Sequence, residues 1–255
     1  MLTAITRGVS PAIANCELTF VARAPINLAK AVEQHSAYER LLENFGAKVF
    51  SLPPEPALAD SMFVEDPAIV LDELAVIFPL GSASRRAEAT SLAKAISEFR
   101  ELRYVHLPGT VEGGDILRIG RQLFAGLSKR TNAEGIRQLQ SIVAQYNYNV
   151  TPVPVTGCLH LKSAVTSLGR NMLLVNRDWF DASCIANYDW IDVPPEERHA
   201  ANVLAFENTV ILPAAFPLTR GRIEAQGFEV VTLDISELQK AESGLTCSSL
   251  LFDAQ

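Results

Sequence analysis

A cysteine, a histidine and two carboxylates open four of the five copies of a pattern that recurs through this chain at near-equal intervals, and together they are the equipment of nucleophilic chemistry. Cys247, His160, Glu112 and Asp66 each open a copy of one pattern. In every copy an early polar residue leads into a short strand-like run, a turn and a second apolar strand; in four of the five a helix-like stretch follows. The copies begin near Asp66 (EDPAIVLDELAVIFP), Glu112 (EGGDILRIGRQLFAGL), His160 (HLKSAVTSLGRNMLLVN), Asn202 (NVLAFENTVILPAAFP) and Cys247 (CSSLLFDAQ), so that successive openings lie 46, 48, 42 and 45 residues apart. A period of this size marks a repeat architecture such as a propeller. Equivalent positions of a closed repeat face one axis, which would bring these distant residues together. A cysteine and a histidine far apart in sequence but close in space is the pattern of cysteine-nucleophile enzymes.

Each residue also has an ordinary reading. Cys247, in GLTCSSLLF, precedes an apolar strand, and most free cysteines are buried small hydrophobes. An unperturbed thiol, with a pKa of about 8.5, is only slightly ionised at neutral pH, so a catalytic one needs a cationic neighbour or substrate. His160, in GCLHLKS, would normally be a hydrogen-bonded core residue; its register with Cys247 sets it apart. Glu65-Asp66 could be a solvated pair at a strand end, and Gly113-Gly114 beside Glu112 a turn or bulge that lets backbones approach. Yet Asp66 and Glu112 at equivalent positions suit a guanidinium, whose planar N–H donors pair with carboxylates through charge-assisted hydrogen bonds. A second equivalent position, between each copy's second strand and its helix, carries Arg85 (GSASRR) and Arg130 (SKRTN), with Arg220 (PLTR) recurring there. Arg86 and Arg220 read as surface residues. Pointing inward, Arg85 and Arg130 would hold an amino-acid carboxylate, and the two sets together describe arginine or a derivative.

The elements that must position these residues follow from the same repeat. The last copy is truncated after Cys247, while LTAITRG at the other end reads as a strand; pairing of the first strand with the last would complete it. Residues 27–45 read as a helix capped by Asn27 and stopped by Gly46, and residues 88–100 and 132–146 as helices of later copies. A further short helix is expected after Thr219-Arg220. His35 falls on the first helix and receives no role. Segment 8–25 is loop-like and suits a lid over the axial end. No linker divides the 255 residues, so a single domain over 1–255 is expected.

Bulk composition excludes several classes. A formal charge of −7 argues against a nucleic-acid surface, no apolar run is long enough for a membrane span, and the N-terminus is a poor signal peptide. Cys16, Cys158, Cys184 and Cys247 show no close pairing, which disfavours a disulfide framework or metal knuckle and makes the cytoplasm the expected compartment.

Over residues 4–252 the stretches LPPEPALADSMFVEDP, GSASRR, PGTVEGGDI, LSKRTNAEG, LHLKS, AAN and GLTCSSLLF, in this order and spacing, resemble the dimethylarginine dimethylaminohydrolases. The resemblance implies a five-bladed α/β propeller of the guanidino-group-modifying superfamily. It implies Cys247 as nucleophile, His160 as general acid/base, and Asp66 and Glu112 as carboxylates around the guanidinium. Arg85 and Arg130 match ligands of the substrate α-carboxylate, and Asp60 and Glu65 polar residues of the pocket. Leu18 matches a lid contact and Ala241 a backbone contact. The implied reaction hydrolyses Nω-methylated L-arginine to L-citrulline and an alkylamine, through an S-alkylthiouronium intermediate, with no metal or organic cofactor. Small-molecule substrate is then the only obligatory partner, and monomer and homodimer stay open.

Two departures bear on specificity. Arginine deiminases resemble a pattern with an aspartate two residues after the histidine; here that residue is Lys162. Losing that acceptor suits a guanidinium whose distal nitrogen carries methyl groups. Ser248 stands where some relatives have a second cysteine, outside the chemistry. An arginine deiminase or amidinotransferase on the same scaffold is the nearest alternative. A non-catalytic ribosome-binding propeller is the more distant one, having no need of Asp66, Glu112, His160 and Cys247 at matching openings.

Overall fold

Short apolar runs separated by tight reversals make hairpins, and this chain makes four of them plus one that joins its two ends. In a computed structural model that describes residues 1–254, the first elements are β1 (Leu2–Arg7), helix α1 (Leu28–Asn44) and β2 (Lys48–Leu52). Then come β3 (Ala68–Val70), β4 (Leu74–Ile77), α2 (Glu88–Ile96) and β5 (Glu101–Tyr104), followed by β6 (Ile116–Ile119), β7 (Gln122–Leu127), α3 (Ala133–Val143) and β8 (Asn149–Pro154). After α4 (Leu161–Ala164) lie β9 (Val165–Gly169), β10 (Met172–Val175) and β11 (Asp189–Asp192). The remainder is β12 (Leu204–Phe206), β13 (Thr209–Pro213), α5 (Pro217–Glu224), β14 (Glu229–Leu233), α6 (Ser236–Gln239) and β15 (Leu250–Asp253).

The strands form five three-stranded sheets of one design, in a mixed α/β fold. The first strand pairs antiparallel with the second, and the second pairs parallel with the third: β3-β4-β5, β6-β7-β8, β9-β10-β11 and β12-β13-β14. Parallel neighbours need a crossover, supplied by α2, α3 and α5 in three of these sheets and by 3₁₀ turns between β10 and β11. The β9–β10 reversal places Arg170 and Asn171 at φ of 50° and 61°, the pair of positive values a two-residue type I′ turn requires. The fifth sheet is β15-β1-β2: Ile5 faces Leu250 and Leu2 faces Asp253 in an antiparallel register, as the truncated last copy requires.

Helix α1 runs as its caps dictate. The Asn27 side chain accepts from Lys30 N–H, Ala31, Tyr38 and Leu42 are buried along one face, and Gly46 exits at φ +82°. Three boundaries differ from expectation. Helix α2 ends at Ile96, because Glu98 and Phe99 bond back only three residues, tightening the last turn. Residues 144–146 leave α3 as a 3₁₀ turn. Helix α5 starts at Pro217, ahead of Thr219: proline fits the first turn, and the distant Glu197 carboxylate accepts from Leu218 and Thr219 N–H. Segment 8–25 contains one 3₁₀ turn, Ile13–Asn15, and no other regular structure.

The core consists of five apolar clusters, each drawing on two sheets. Ile5 and Phe252 pack with Val70 and Ile77; Val76 with Ile116 and Leu123; Leu117 and Phe124 with Val165 and Leu173; Leu174 and Ile191 with Val203 and Leu212; Ile211 with Ala4. Each such buried Val, Leu, Ile or Phe side chain contributes about 1.5–3 kcal/mol relative to exposure, so the sheets are held mainly by their shared clusters. No helix among the described residues is long and apolar enough to cross a membrane.

Candidate active site

The five copy openings stand just ahead of β3, β6, β9, β12 and β15, and hydrogen bonds stitch each to the next. Gly113 N–H donates to the Asp66 carbonyl (2.8 Å) and the Asp115 carboxylate accepts from Leu161 N–H (2.9 Å). Asn202 donates to the Lys162 carbonyl and to Thr246 Oγ1 (3.0 Å each) and accepts from Thr246 N–H (3.0 Å). Glu65 N–H donates to the Cys247 carbonyl at 3.3 Å. Residues separated by up to 182 positions therefore meet because the sheets repeat.

Seven of the sequence-predicted residues line one small cavity: Cys247, His160, Asp66, Arg85, Arg130, Asp60 and Ala241. Glu112 is wholly buried behind His160, with its Oε2 2.7 Å from His160 Nε2. Its Oε1 accepts from Gly81 N–H (3.1 Å) and meets Arg130 at 3.5 Å, so both oxygens are occupied. Glu112 thus orients and charges His160 and has little left for a guanidinium. Asp66 is different. Its Oδ2 accepts from Arg85 at 2.9 Å, while the buried Oδ1 has no hydrogen-bond partner among the described residues and lies at ion-pair distance, 3.9 Å, from His160 Nδ1. That oxygen is the acceptor available to a ligand N–H.

Close backbone approach makes this possible. A Cβ on Gly113 would sit 2.0 Å from the Glu65 carbonyl oxygen, and one on Gly114 2.5 Å from His160 Nδ1. The glycine pair is both the bulge-like contact and part of the site.

Protonation follows from burial and charge. Burial alone would lower the His160 pKa, but the Asp66 charge, the Glu112 hydrogen bond and Asp115 raise it above its ordinary value. Burial likewise opposes ionisation of Glu112, yet its bond to His160 and the charges of His160, Arg85 and Arg130 hold it below the usual carboxylate range. The pair is an imidazolium–carboxylate ion pair. Burial, reinforced by Glu65 and Asp66, pushes the Cys247 thiol up to about 12, against a weak Gly244 N–H contact at 3.4 Å and the Lys162 charge.

Several residues that spacing did not reveal do essential positioning. Glu88, on the first turn of α2, takes Arg85 Nε (3.1 Å) and Nη2 (2.9 Å) in a fork, both side chains being buried. Asp115 holds the turn after His160 and is fixed by Ser128 Oγ at 2.7 Å. Its EGGD neighbourhood was visible in the sequence; a charged pair at i and i+3 such as Arg85–Glu88 normally reads as a solvated helix face.

Glu65 faces away from the site cavity. With Lys162, which it pairs with, and Thr246, whose hydroxyl donates to it at 2.7 Å, it lines a second cavity. Val70, Ile116, Thr166, Leu204 and Leu250, one from the first strand of every sheet, form that cavity's walls. Lys162 lines this second cavity with Glu65 and not the site cavity. Leu18 packs against the cluster that contains Ala241 and Cys247, and Asp60 accepts Glu17 N–H at 3.1 and 3.2 Å. Arg220 is on the surface with Glu224, and Arg86 is half-buried on the Leu80 carbonyl.

Asp66, Glu112 and His160 bring ligand atoms within 4.8 Å of one another. The fit to a cation is poor. Arg85 already occupies one Asp66 oxygen, Glu112 is bonded to His160 and approached by Arg130, and two guanidinium charges stand beside the cluster.

Residues 22–193 match the arginine deiminase family. The chain is 37% identical to the N(G),N(G)-dimethylarginine dimethylaminohydrolase of Pseudomonas aeruginosa over 88% of this chain and 89% of that one. With the Streptomyces coelicolor protein of the same name identity is 34%, over 97% and 95%. The solved structure of a cysteine-to-serine variant of the P. aeruginosa enzyme, complexed with citrulline, superposes with a TM-score of 0.92 at 34% identity, covering 99% of this chain and all of that one.

Proposed function

The chain belongs to the dimethylarginine dimethylaminohydrolase family, and from that premise we propose that it hydrolyses Nω-methylated L-arginine to L-citrulline and methylamine or dimethylamine. The observation that carries this reading is the convergence of Cys247, the His160–Glu112 ion pair and the unpartnered Asp66 Oδ1 on a cavity also lined by Arg85 and Arg130.

In this reading the substrate guanidinium sits against Asp66 Oδ1 and its carboxylate faces Arg85 and Arg130. The incoming positive charge offsets Asp66 and Glu65, the two charges that hold the Cys247 thiol protonated, so the thiol releases its proton to solvent and the thiolate forms next to the carbon it attacks. The Cys247 Sγ–C bond forms, the His160 imidazolium passes its proton to the alkylamine nitrogen, and that C–N bond breaks. The S-alkylthiouronium remains. His160, now neutral, takes a proton from water; the hydroxide adds to the same carbon, the C–S bond breaks, and the proton on the added oxygen passes to the departing sulfur, giving citrulline and the Cys247 thiol. Glu112 keeps His160 oriented and charged before each turnover. One imidazole acting as acid and then base is what a two-stage covalent mechanism needs.

The remaining assignments belong to the same proposal. The chain is one catalytic domain and a five-bladed propeller; the five clusters that join neighbouring sheets pairwise, and the axial cavity walled by one strand of each, support this. Asp60, Leu18 and Ala241 serve the amino-acid end, and Glu65 acts from behind, through Lys162 and Thr246. Four free cysteines suit the cytoplasm. The test is citrulline formation from asymmetric dimethylarginine, monomethylarginine and arginine at matched concentrations. Preference for methylated substrates, with release of the corresponding amine, is expected. Preference for arginine would overturn the specificity, and no citrulline from any of the three would overturn hydrolysis.

A further inference from the structure

Glu242 holds a backbone conformation, φ +61°, that side chains of L-residues seldom adopt. Glycine takes it without steric cost, so a glutamate there directs attention to what its side chain does. Its carboxylate accepts Thr19 N–H at 2.7 Å and Phe20 N–H at 2.9 Å, from residues 223 and 222 positions away. It also lines the site cavity, between Ala241 and Ser243. Residues 17–20 form no helix or strand, so their N–H groups look to side chains for partners. Glu17 N–H goes to Asp60, and the next ones bonded, Thr19 and Phe20, go to Glu242.

We propose that Glu242 is a positioning residue for substrate binding: its carboxylate clasps segment 17–20 at the edge of the cavity and fixes the Leu18–Thr19 peptide. The Leu18–Thr19 peptide is trans, so its C=O points opposite to the Thr19 N–H that Glu242 holds. From the other side, Arg130 Nη2 reaches Thr19 Oγ1 at 3.4 Å. The segment is thus suspended between a cavity arginine and a cavity glutamate. Arg130, which faces the substrate carboxylate in the reading above, is thereby tied to the held segment. Glu242 would then govern affinity for the amino-acid end and leave the Cys247–His160 chemistry alone. This rests on the hydrolase reading above.

Two variants and two readouts test it. In Glu242→Gly the residue suits φ +61° but the clasp is gone. Amide exchange at Thr19 and Phe20 should accelerate about tenfold or more, as for a locally released loop, with an unchanged or higher melting temperature. KM for asymmetric dimethylarginine should rise about tenfold with kcat within about twofold, the signature of lost binding rather than lost transition-state contact. Glu242→Gln keeps one acceptor oxygen and should fall between the two. Unaltered exchange at both amides would overturn the clasp. Faster exchange with unaltered KM, or joint loss of kcat and melting temperature, would overturn the positioning role. If the wild-type protein makes no citrulline, the hydrolase reading fails, while the exchange measurement, which needs no turnover, still decides the clasp.

Discussion

At the scale of single residues, protonation decides when the nucleophile can act. In the free protein near neutral pH, Cys247 is a thiol held protonated by burial, Glu65 and Asp66, and His160 is an imidazolium held by Asp66 and Glu112. Raising the pH deprotonates His160 before the thiol, so the free protein passes through no range dominated by thiolate beside imidazolium. Alkylation of Cys247 by iodoacetamide should therefore climb about tenfold per pH unit between pH 6 and 9, tracking a thiolate fraction far below saturation. A plateau anywhere in that range would contradict the environment described. Glu88 makes a second prediction. Its fork, with the Asp66 bond to Nη1, leaves Arg85 with one further N–H on each terminal nitrogen and fixes where they point. Glu88→Gln should raise KM for methylated arginine about tenfold or more, because a buried charge pair is broken. The same variant should act almost like wild type on a methylguanidine substrate that lacks the α-carboxylate. Equal losses on both substrates would mean that Glu88 merely supports the fold.

Elements decide whether those residues meet, and here the sequence was informative in an uneven way. The openings at Asp66, Glu112, His160 and Cys247 were legible because a repeat places chemistry at one offset ahead of each first strand. The cap of α1 was legible because Asn27 acts on its own first turn. The start of α5 was not, since its N–H groups are satisfied by Glu197 from another segment. Glu88 and Glu242 were illegible for the same reason: each works through a contact that only the assembled fold creates. The Gly113-Gly114 turn sits between the two cases. Its glycines suggested close approach, but not that His160 was the neighbour. Gly114→Ala would place a Cβ 2.5 Å from His160 Nδ1 and 3.0 Å from Asp66 Oδ1. The ring must move away from Glu112, so kcat should fall by about 100-fold or more, the usual contribution of a positioned acid/base. The loss should exceed any effect on KM. Retention of near-normal kcat would show that the His160–Glu112 alignment is not needed.

For the whole molecule, the consequential feature is that the first and last strands share one sheet. Strand β1 is the centre of β15-β1-β2, so the fifth sheet has no continuous sequence, although it packs on its neighbours through Ile5, Leu250 and Phe252 like any other. Ala254 N–H donates to the Met1 carbonyl at 2.9 Å, which puts the first and last described residues in direct contact. A sheet that is complete in space and broken in sequence has no special need of the break. A permutant with the ends joined by a few flexible residues and reopened at Arg170-Asn171 keeps every strand pair and every site residue. It severs only a two-residue reversal whose positive φ values are themselves costly. It should fold, with citrulline-forming activity within about threefold of the parent and a melting temperature lower by no more than several degrees, since only loop entropy changes. Reopening between β1 and α1, at the segment that Asp60 and Glu242 hold, should instead keep the fold and weaken substrate binding. If the Arg170-Asn171 permutant fails to fold while the parent is stable, the five sheets are not equivalent, and the β15–β1 pairing has an order of assembly that the repeat does not explain.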